Sequence, residues 1–152
     1  MDAAERLVAI EEIKALKARY FRCMDTKQWE AFADLFTADA TIDVSGEMRA
    51  SATDDGVIRG KTEIATFVRD AIDDVTTVHH GHTPEIDVLS PTHATAVWAM
   101  EDMLRWPAAA PIRSLHGYGH YHDTYENRDG RWLIAALKLT RLRVDVEMPA
   151  TE

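Results

Sequence analysis

The sequence predicts an α+β fold in which three N-terminal helices pack on a curved, cone-shaped antiparallel sheet. Three observations indicate this fold: apolar residues recur at helical spacing as far as Val75, the apolar period then changes to two, and short turns separate long strand-like segments. With 152 residues, of which 46% are hydrophobic, the chain suits one domain, expected at 5–146. Segments 1–4 and 147–152 are expected to be flexible termini.

The helices are predicted from apolar stripes at i, i+3 and i+4 spacing. The first covers residues 5–24, a short second helix begins near Trp29, and Gly60 opens the third. The stripe of the first helix contains Leu7, Ile10, Ile13, Leu16, Tyr20, Cys23 and Met24, with the charged residues Glu11, Glu12, Lys14 and Lys17 between them. Cys23 is the one cysteine, so no internal disulfide forms, and its place on the stripe predicts a packed side chain.

The strands are predicted at 40–45, 77–88, 93–106, 112–127 and 131–146. Residues 46–59 are small, polar and charged, which indicates a loop or a loose hairpin. The last two strands are joined by a hairpin turn that ends at Gly130. Gly117 and Gly119 are natural places for a long strand to bend, and a curved sheet covered by helices leaves a pocket at its wide end.

Charge and hydropathy limit the classes of partner. A net charge of −9 repels phosphate backbones and anionic lipid, so neither nucleic acid nor a membrane is expected as a partner. No apolar run approaches the roughly 20 residues that span a bilayer. The charged N-terminal segment lacks the pattern of a secretory signal, so a cytoplasmic location is expected.

Four stretches carry a resemblance to a known family. They are YFRCMDTKQWEAFADLFTADATID at 20–43, VHHGHTPEIDVLSPTHATAVWAMED at 78–102, HGYGHYHDTYENRDGRWLI at 116–134 and LTRLRVD at 139–145. Together they resemble the SnoaL-like branch of the nuclear transport factor 2-like superfamily, which includes scytalone dehydratase, bile-acid 7α-dehydratase, ketosteroid isomerase, limonene-epoxide hydrolase and polyketide cyclases. The resemblance implies a cystatin-like α+β barrel, and it specifies the fold better than the reaction.

Six of the seven histidines fall in two predicted strands. They are His79, His80 and His82 in one strand, and His116, His120 and His122 in the other. Because alternate strand residues share a face, His80 and His82 lie together and opposite His79. In the second strand, the face with the histidines and Tyr118 lies opposite the face with Tyr121, and the sequence leaves open which one faces the pocket.

The resemblance implies a catalytic histidine and an aspartate that orients it. In the dehydratases, the base lies seven residues before the apolar residue that starts the regular strand pattern; here that residue is Ile86, which indicates His79, with His80 as the alternative. The resemblance also places Asp25 against this histidine, and Tyr20, five residues earlier, where it can polarise a substrate oxygen. Each has a structural alternative: a histidine bonded to backbone, a helix-capping aspartate and a core tyrosine.

The remaining candidate site residues follow from strand alternation and the resemblance. Asp102 ends the otherwise apolar row of Ala94, Ala96, Trp98 and Met100, and a carboxylate in such a row needs a partner. Arg141 is the last-strand arginine implied by the resemblance and is the natural partner, in a site or in a structural ion pair. Trp98, Tyr118, His120 and Tyr121 are candidate substrate contacts.

These residues predict a cofactor-free lyase or isomerase that acts on a small, largely apolar cyclic carbonyl or hydroxy compound. The alternative is a non-catalytic ligand-binding or oligomerisation module, which a separation of more than about 6 Å between Asp25 and His79 would favour. Two weaker options are an Asp–Arg–Asp epoxide hydrolase and a metal site built from the histidines, although no resident metal or cofactor is expected. The outer sheet face is expected to form a homodimer or homotrimer.

Overall fold

The computed structural model describes residues 1–46 and 55–150, and it confirms the α+β fold class. The helices and strands within these residues are α1 Ala3–Asp25, α2 Trp29–Ala33, β1 Phe36–Asp43, β2 Val57–Arg59, α3 Lys61–Ile72, β3 Thr76–Gly81, β4 Glu85–Ser90, β5 His93–Arg105, β6 Ser114–Arg128 and β7 Arg131–Glu147. Most of the loop predicted at 46–59 lies outside the described residues.

The strands form one curved sheet in the order β2-β1-β7-β6-β5-β3, with β4 also paired to β5. Two expectations need correction. The sheet is mixed rather than antiparallel throughout, because β1 runs parallel to β7. It is also open rather than closed into a barrel, since β2 and β3 stand at its two ends. No hairpin turn links β1 to β7, so the direction of their pairing is not set by local sequence.

The segment predicted as one strand at 77–88 is two strands, β3 and β4. Both are antiparallel to β5: β3 pairs with its second half and β4 with its first. Pro84 lies in the break between them, where its ring fixes φ and leaves no N–H for a sheet hydrogen bond. The sequence pattern hides this break because the apolar period is two on both sides of it.

Helix α1 begins earlier than expected. Asp2 and Glu5 form a capping box, in which the Glu5 N–H donates to Oδ1 of Asp2 at 2.8 Å and the Asp2 N–H donates to Oε2 of Glu5 at 2.7 Å. Asp2 therefore caps the helix, and Ala3 and Ala4 belong to its first turn.

The core lies between the inner sheet face and the helices, and Cys23 is packed in it as predicted. One charged pair belongs to this core. Lys17, whose charge grouped it with the polar residues of α1, is fully buried, and its Nζ donates to Oδ2 of Asp123 at 2.8 Å. The Asp123 carboxylate also accepts from the Tyr125 hydroxyl. Among the described residues, no helix has the length and apolar character that crossing a bilayer requires.

Candidate functional site

An aspartate and a histidine meet where the end of α1 packs on β3. Asp25 is the last residue of α1, and its Oδ1 lies 2.6 Å from Nδ1 of His79. The backbone N–H of His79 donates to Oδ2 of the same carboxylate at 2.8 Å. Because an ionised carboxylate only accepts hydrogen bonds, Nδ1 of His79 carries the proton and Nε2 is left as the acceptor of the ring.

Strand alternation turns His79 inward. Thr77 and His79 are buried, whereas Val78 and His80 between and after them are exposed. The Thr77 hydroxyl donates to Oδ1 of Asp25 at 2.9 Å, and the His79 ring lies parallel to that of Phe21, with 6.5 Å between the ring centroids. The carboxylate and the neighbouring ring thus hold the imidazole in one orientation.

A second carboxylate lies on the other side of the imidazole. Asp102 pairs with His79 across β3 and β5, and its Oδ2 is 3.9 Å from Nε2, which is too long for a hydrogen bond. Arg141 binds Asp102 through both guanidinium branches, at 2.6 and 2.9 Å. Gly117 makes room for this pair, because a Cβ there would approach an atom of each partner to 2.3 Å.

The environment of Asp25 favours its charged form. Burial alone would raise the pKa of the Asp25 carboxyl, but the hydrogen bonds and charge of His79 and the Thr77 hydroxyl together outweigh burial and lower that pKa below its ordinary value. An ionised Asp25 stabilises the imidazolium that forms if Nε2 accepts a proton. The arrangement can therefore act as a general base whose tautomer is fixed.

The aromatic candidates lie in the adjoining core. Tyr20 is buried, with its ring centroid 5.9 Å from that of Tyr121. Burial, followed by the charges of Tyr20 and Asp102, raises the pKa of Tyr121 well above its ordinary value, so its hydroxyl stays protonated. Trp98 is buried on the same inner face and donates from Nε1 to the Tyr125 hydroxyl at 3.1 Å.

Three predicted site residues face the other way. His80 lies on the outer face with half of its side chain exposed, and its Nδ1 is 3.4 Å from Oε1 of Glu101. Tyr118 and His120 are also on the outer face, because alternation along β6 turns Gly117, Gly119 and Tyr121 inward. The expectation that His80, Tyr118 and His120 line the pocket is therefore corrected: all three lie on the opposite sheet face.

Three histidines of the outer face lie around the Glu101 carboxylate rather than in the site. His82 and His116 lie 3.5 and 3.1 Å from Glu101, as His80 does at 3.4 Å. Within 1–46 and 55–150, no group of three or more histidine, cysteine, aspartate or glutamate side chains is arranged to hold a metal ion. Among the described residues, Asp102 and Arg141 form one half of an Asp–Arg–Asp arrangement, whereas the carboxylate of Asp25 is directed to His79.

Sequence reasoning missed three residues near the site. Thr77 has a detectable signal, because it lies two positions before His79 and shares its strand face. Phe21 has one as well, since it precedes Asp25 by four residues and so lies on the same side of α1. Lys17 follows Ile13 by four residues and so occupies a position on the apolar stripe. Because it is charged, its side chain is predicted to be exposed.

A cleft of about 320 Å³ lies beside these residues. Its lining includes the rings of Phe21 and Trp98, the polar side chains of Lys17 and His82, and Gly81, which shares the strand face of His79. Asp25, His79 and Asp102 are not among the described residues that line it. A Cβ at position 81 would come within 2.7 Å of the Phe21 ring, so glycine is needed for that ring to occupy its place. The volume falls at the lower end of the range of small-ligand pockets, about 300–1,000 Å³.

A known sequence and two solved structures are similar to this chain over most of its length. The chain is 23% identical over 137 residues to a probable cyclase of Gibberella zeae, covering 86% of this chain and 89% of the relative. It superposes on a hexachlorocyclohexane dehydrochlorinase, LinA type 2, with a TM-score of 0.82 and 16% identity, covering 99% and 98% of the two chains. The chain also superposes on a candidate scytalone dehydratase from Novosphingobium aromaticivorans, with a TM-score of 0.81 and 19% identity, covering 99% of each chain.

At these identities the two structures establish the shared fold. The family follows from a sequence model, that of the SnoaL-like domain, which matches residues 5–138. The match includes Asp25, His79 and Asp102 and ends before Arg141. The chain therefore belongs to the SnoaL-like domain family.

Proposed function

We propose that this chain is a cofactor-free lyase or isomerase in which Nε2 of His79 removes a proton from carbon. The observation that carries the proposal is the 2.6 Å contact between Asp25 and Nδ1 of His79, which leaves Nε2 as the acceptor beside Asp102. Elimination and double-bond migration move only a proton and a leaving group. Neither reaction requires a redox cofactor.

The names of the similar structures support the reaction class. Dehydrochlorination removes HCl and dehydration removes water, and both reactions break a C–H bond next to the carbon that loses its leaving group. One buried base facing a polar partner suits either reaction. In the proposed site, the Arg141 guanidinium, paired with Asp102 across Nε2 from Asp25, would hold the leaving halide or hydroxyl oxygen. A leaving hydroxyl would take the proton held at Nε2 and depart as water, whereas a halide would depart as the anion.

The cleft indicates the size and polarity of the substrate. Phe21 and Trp98 present apolar rings to the cleft, and Lys17 and His82 add polar groups to its lining. Tyr20 and Tyr121 lie deeper in the adjoining core, where their hydroxyls would donate to a substrate oxygen. A cleft of about 320 Å³ suits a compound of one or two rings. We therefore propose a small alicyclic hydroxy-carbonyl or halogenated substrate.

A panel of such compounds tests the proposal. Cyclic β-hydroxy ketones, unconjugated cyclic enones and halogenated cyclohexanes would be incubated with EDTA-treated protein, and conjugated products followed by absorbance and mass spectrometry. We expect at least one compound to lose water or halide, or to shift its double bond, faster than in buffer. Binding of these compounds without any conversion would contradict catalysis and favour the ligand-binding module.

One observation favours the other non-catalytic candidate, an oligomerisation module. Only 7% of the His79 side chain is exposed, and its neighbours Tyr20 and Tyr121 are buried as well, so substrate entry requires side chains to move. The separation of Asp25 and His79 argues the other way, because 2.6 Å is far below the roughly 6 Å at which general-base action would be lost.

A further inference from the structure

Helix α1 ends on a residue in an unusual backbone conformation. Lys27 has a φ of +59°, in the left-handed region. The Gln28 N–H donates to the Cys23 carbonyl at 2.8 Å and the Lys27 N–H to the Met24 carbonyl at 3.2 Å, which is the Schellman ending of a helix. Glycine is the usual residue at this position because it has no Cβ to clash. A lysine here accepts backbone strain that glycine would avoid.

A second non-glycine residue with a positive φ has a local explanation that Lys27 lacks. Among the described non-glycine residues, Asp129 also has a positive φ, of +54°, and it lies in the β6–β7 hairpin turn, where aspartate is common. Lys27 has no comparable local reason. Strained positions that persist are often retained for the role of their side chain.

The Lys27 side chain reaches the site through one intermediary. Its Nζ donates to Oγ1 of Thr77 at 3.1 Å, and the Thr77 hydroxyl donates to Oδ1 of Asp25 at 2.9 Å. The same oxygen lies 2.6 Å from Nδ1 of His79. An ammonium can only donate, so the Thr77 oxygen accepts from Lys27 and its single proton is directed to Asp25.

We propose that Lys27 is a positioning residue that acts through Thr77 to fix the Asp25 carboxylate, charged and oriented, on His79. The catalytic consequence rests on the proposed function, whereas the hydrogen-bond relay itself does not. Among the described residues, the Lys27 ammonium bonds Thr77 rather than His79, and Lys27 is not part of the cleft lining, so its effect on a reaction would be transmitted through the carboxylate.

Other charges surround the relay. Asp73 and Asp74 interact with Lys27 from the end of α3, and Nε1 of Trp29 donates to Oδ1 of Asp73 at 2.7 Å. Burial lowers the pKa of Lys27, and the charges of Asp25, Asp73 and Asp74 oppose this shift. On the far side of His79, the charge of Asp102 is paired with Arg141.

The first test follows the carboxylate directly and needs no substrate. We expect Lys27→Met and Thr77→Val each to raise the pKa of Asp25, followed by carbon-13 NMR of its carboxyl group, by roughly half to one unit. The pKa rises because both substitutions remove interactions that stabilise the ionised Asp25 carboxylate. Thr77→Ser should restore the wild-type titration. Lys61→Met, which alters a partly exposed lysine paired with Asp34 at 3.2 Å, should leave the Asp25 titration unchanged.

The second test separates strain from function. Lys27→Gly relieves the left-handed backbone, so its unfolding midpoint should equal or exceed that of the wild type. Its kcat should nevertheless fall by about 10-fold with KM little changed, as for loss of an outer partner of a catalytic group. A purely structural lysine would not produce this combination.

An unchanged Asp25 titration in both Lys27→Met and Thr77→Val would overturn the relay. So would a wild-type kcat in Lys27→Gly. The proposed function fails differently: if the Asp25 titration shifts as expected while wild-type protein converts no compound of the panel, the relay stands and the lyase or isomerase assignment falls.

Discussion

Replacing His79 with glutamine is expected to lower kcat/KM by roughly 10²- to 10⁴-fold, the usual contribution of a general base. The glutamine amide can still donate to Asp25, but it cannot accept a proton at neutral pH. Steady-state kinetics with a compound converted by the wild type would measure the loss. Circular dichroism of both proteins would establish that the substitution leaves the fold intact.

His80 provides a matched control in the next position of the chain. Its side chain is half exposed, lies on the outer sheet face and contacts Glu101. His80→Gln should therefore keep the wild-type kcat/KM. Equal losses in the His79 and His80 variants would contradict the assignment of the base.

Replacing Lys17 with methionine is expected to lower the free energy of unfolding by about 3–5 kcal/mol. Methionine fills much of the same space, but it leaves the carboxylate of Asp123 buried without its cation. That carboxylate already has one oxygen, Oδ1, with no hydrogen-bond partner among the described residues. Urea denaturation followed by fluorescence would measure the change.

Two further variants show whether the buried charge is the cause. Lys14 lies one turn earlier on α1, is exposed and pairs with Glu11 at 2.7 Å, so Lys14→Met should cost less than about 1 kcal/mol. Combining Lys17→Met with Asp123→Leu removes both buried charges and should recover much of the stability. If Lys17→Met were no more costly than Lys14→Met, the ion pair would not stabilise the core.

Local patterns predict most of this fold. The change of apolar period after Val75 marks the passage from helices to the long strands, and the turn at Gly130 specifies the β6–β7 hairpin. The parallel pairing of β1 with β7 could not be predicted in the same way, because the two strands are distant in sequence. The break at Pro84 was hidden because the apolar period is two on both sides of it.

The site is only partly visible in the sequence. Alternation separates His79 from His80, but the sheet face that meets the helices depends on packing. Asp25 and His79 come together because α1 ends against β3, a contact between residues 54 positions apart. Lys17 shows a further limit: its spacing indicates burial and its charge indicates exposure, and only the presence of Asp123 on the inner face decides between them.

Deuterium exchange tests most directly the central claim that His79 takes a proton from carbon. A cyclic ketone that binds the protein would be incubated in D₂O, and the loss of the proton signal next to the carbonyl followed by NMR. Wild type and His80→Gln are predicted to catalyse this exchange, and His79→Gln to exchange no faster than buffer. Exchange by His79→Gln at the wild-type rate would contradict the claim.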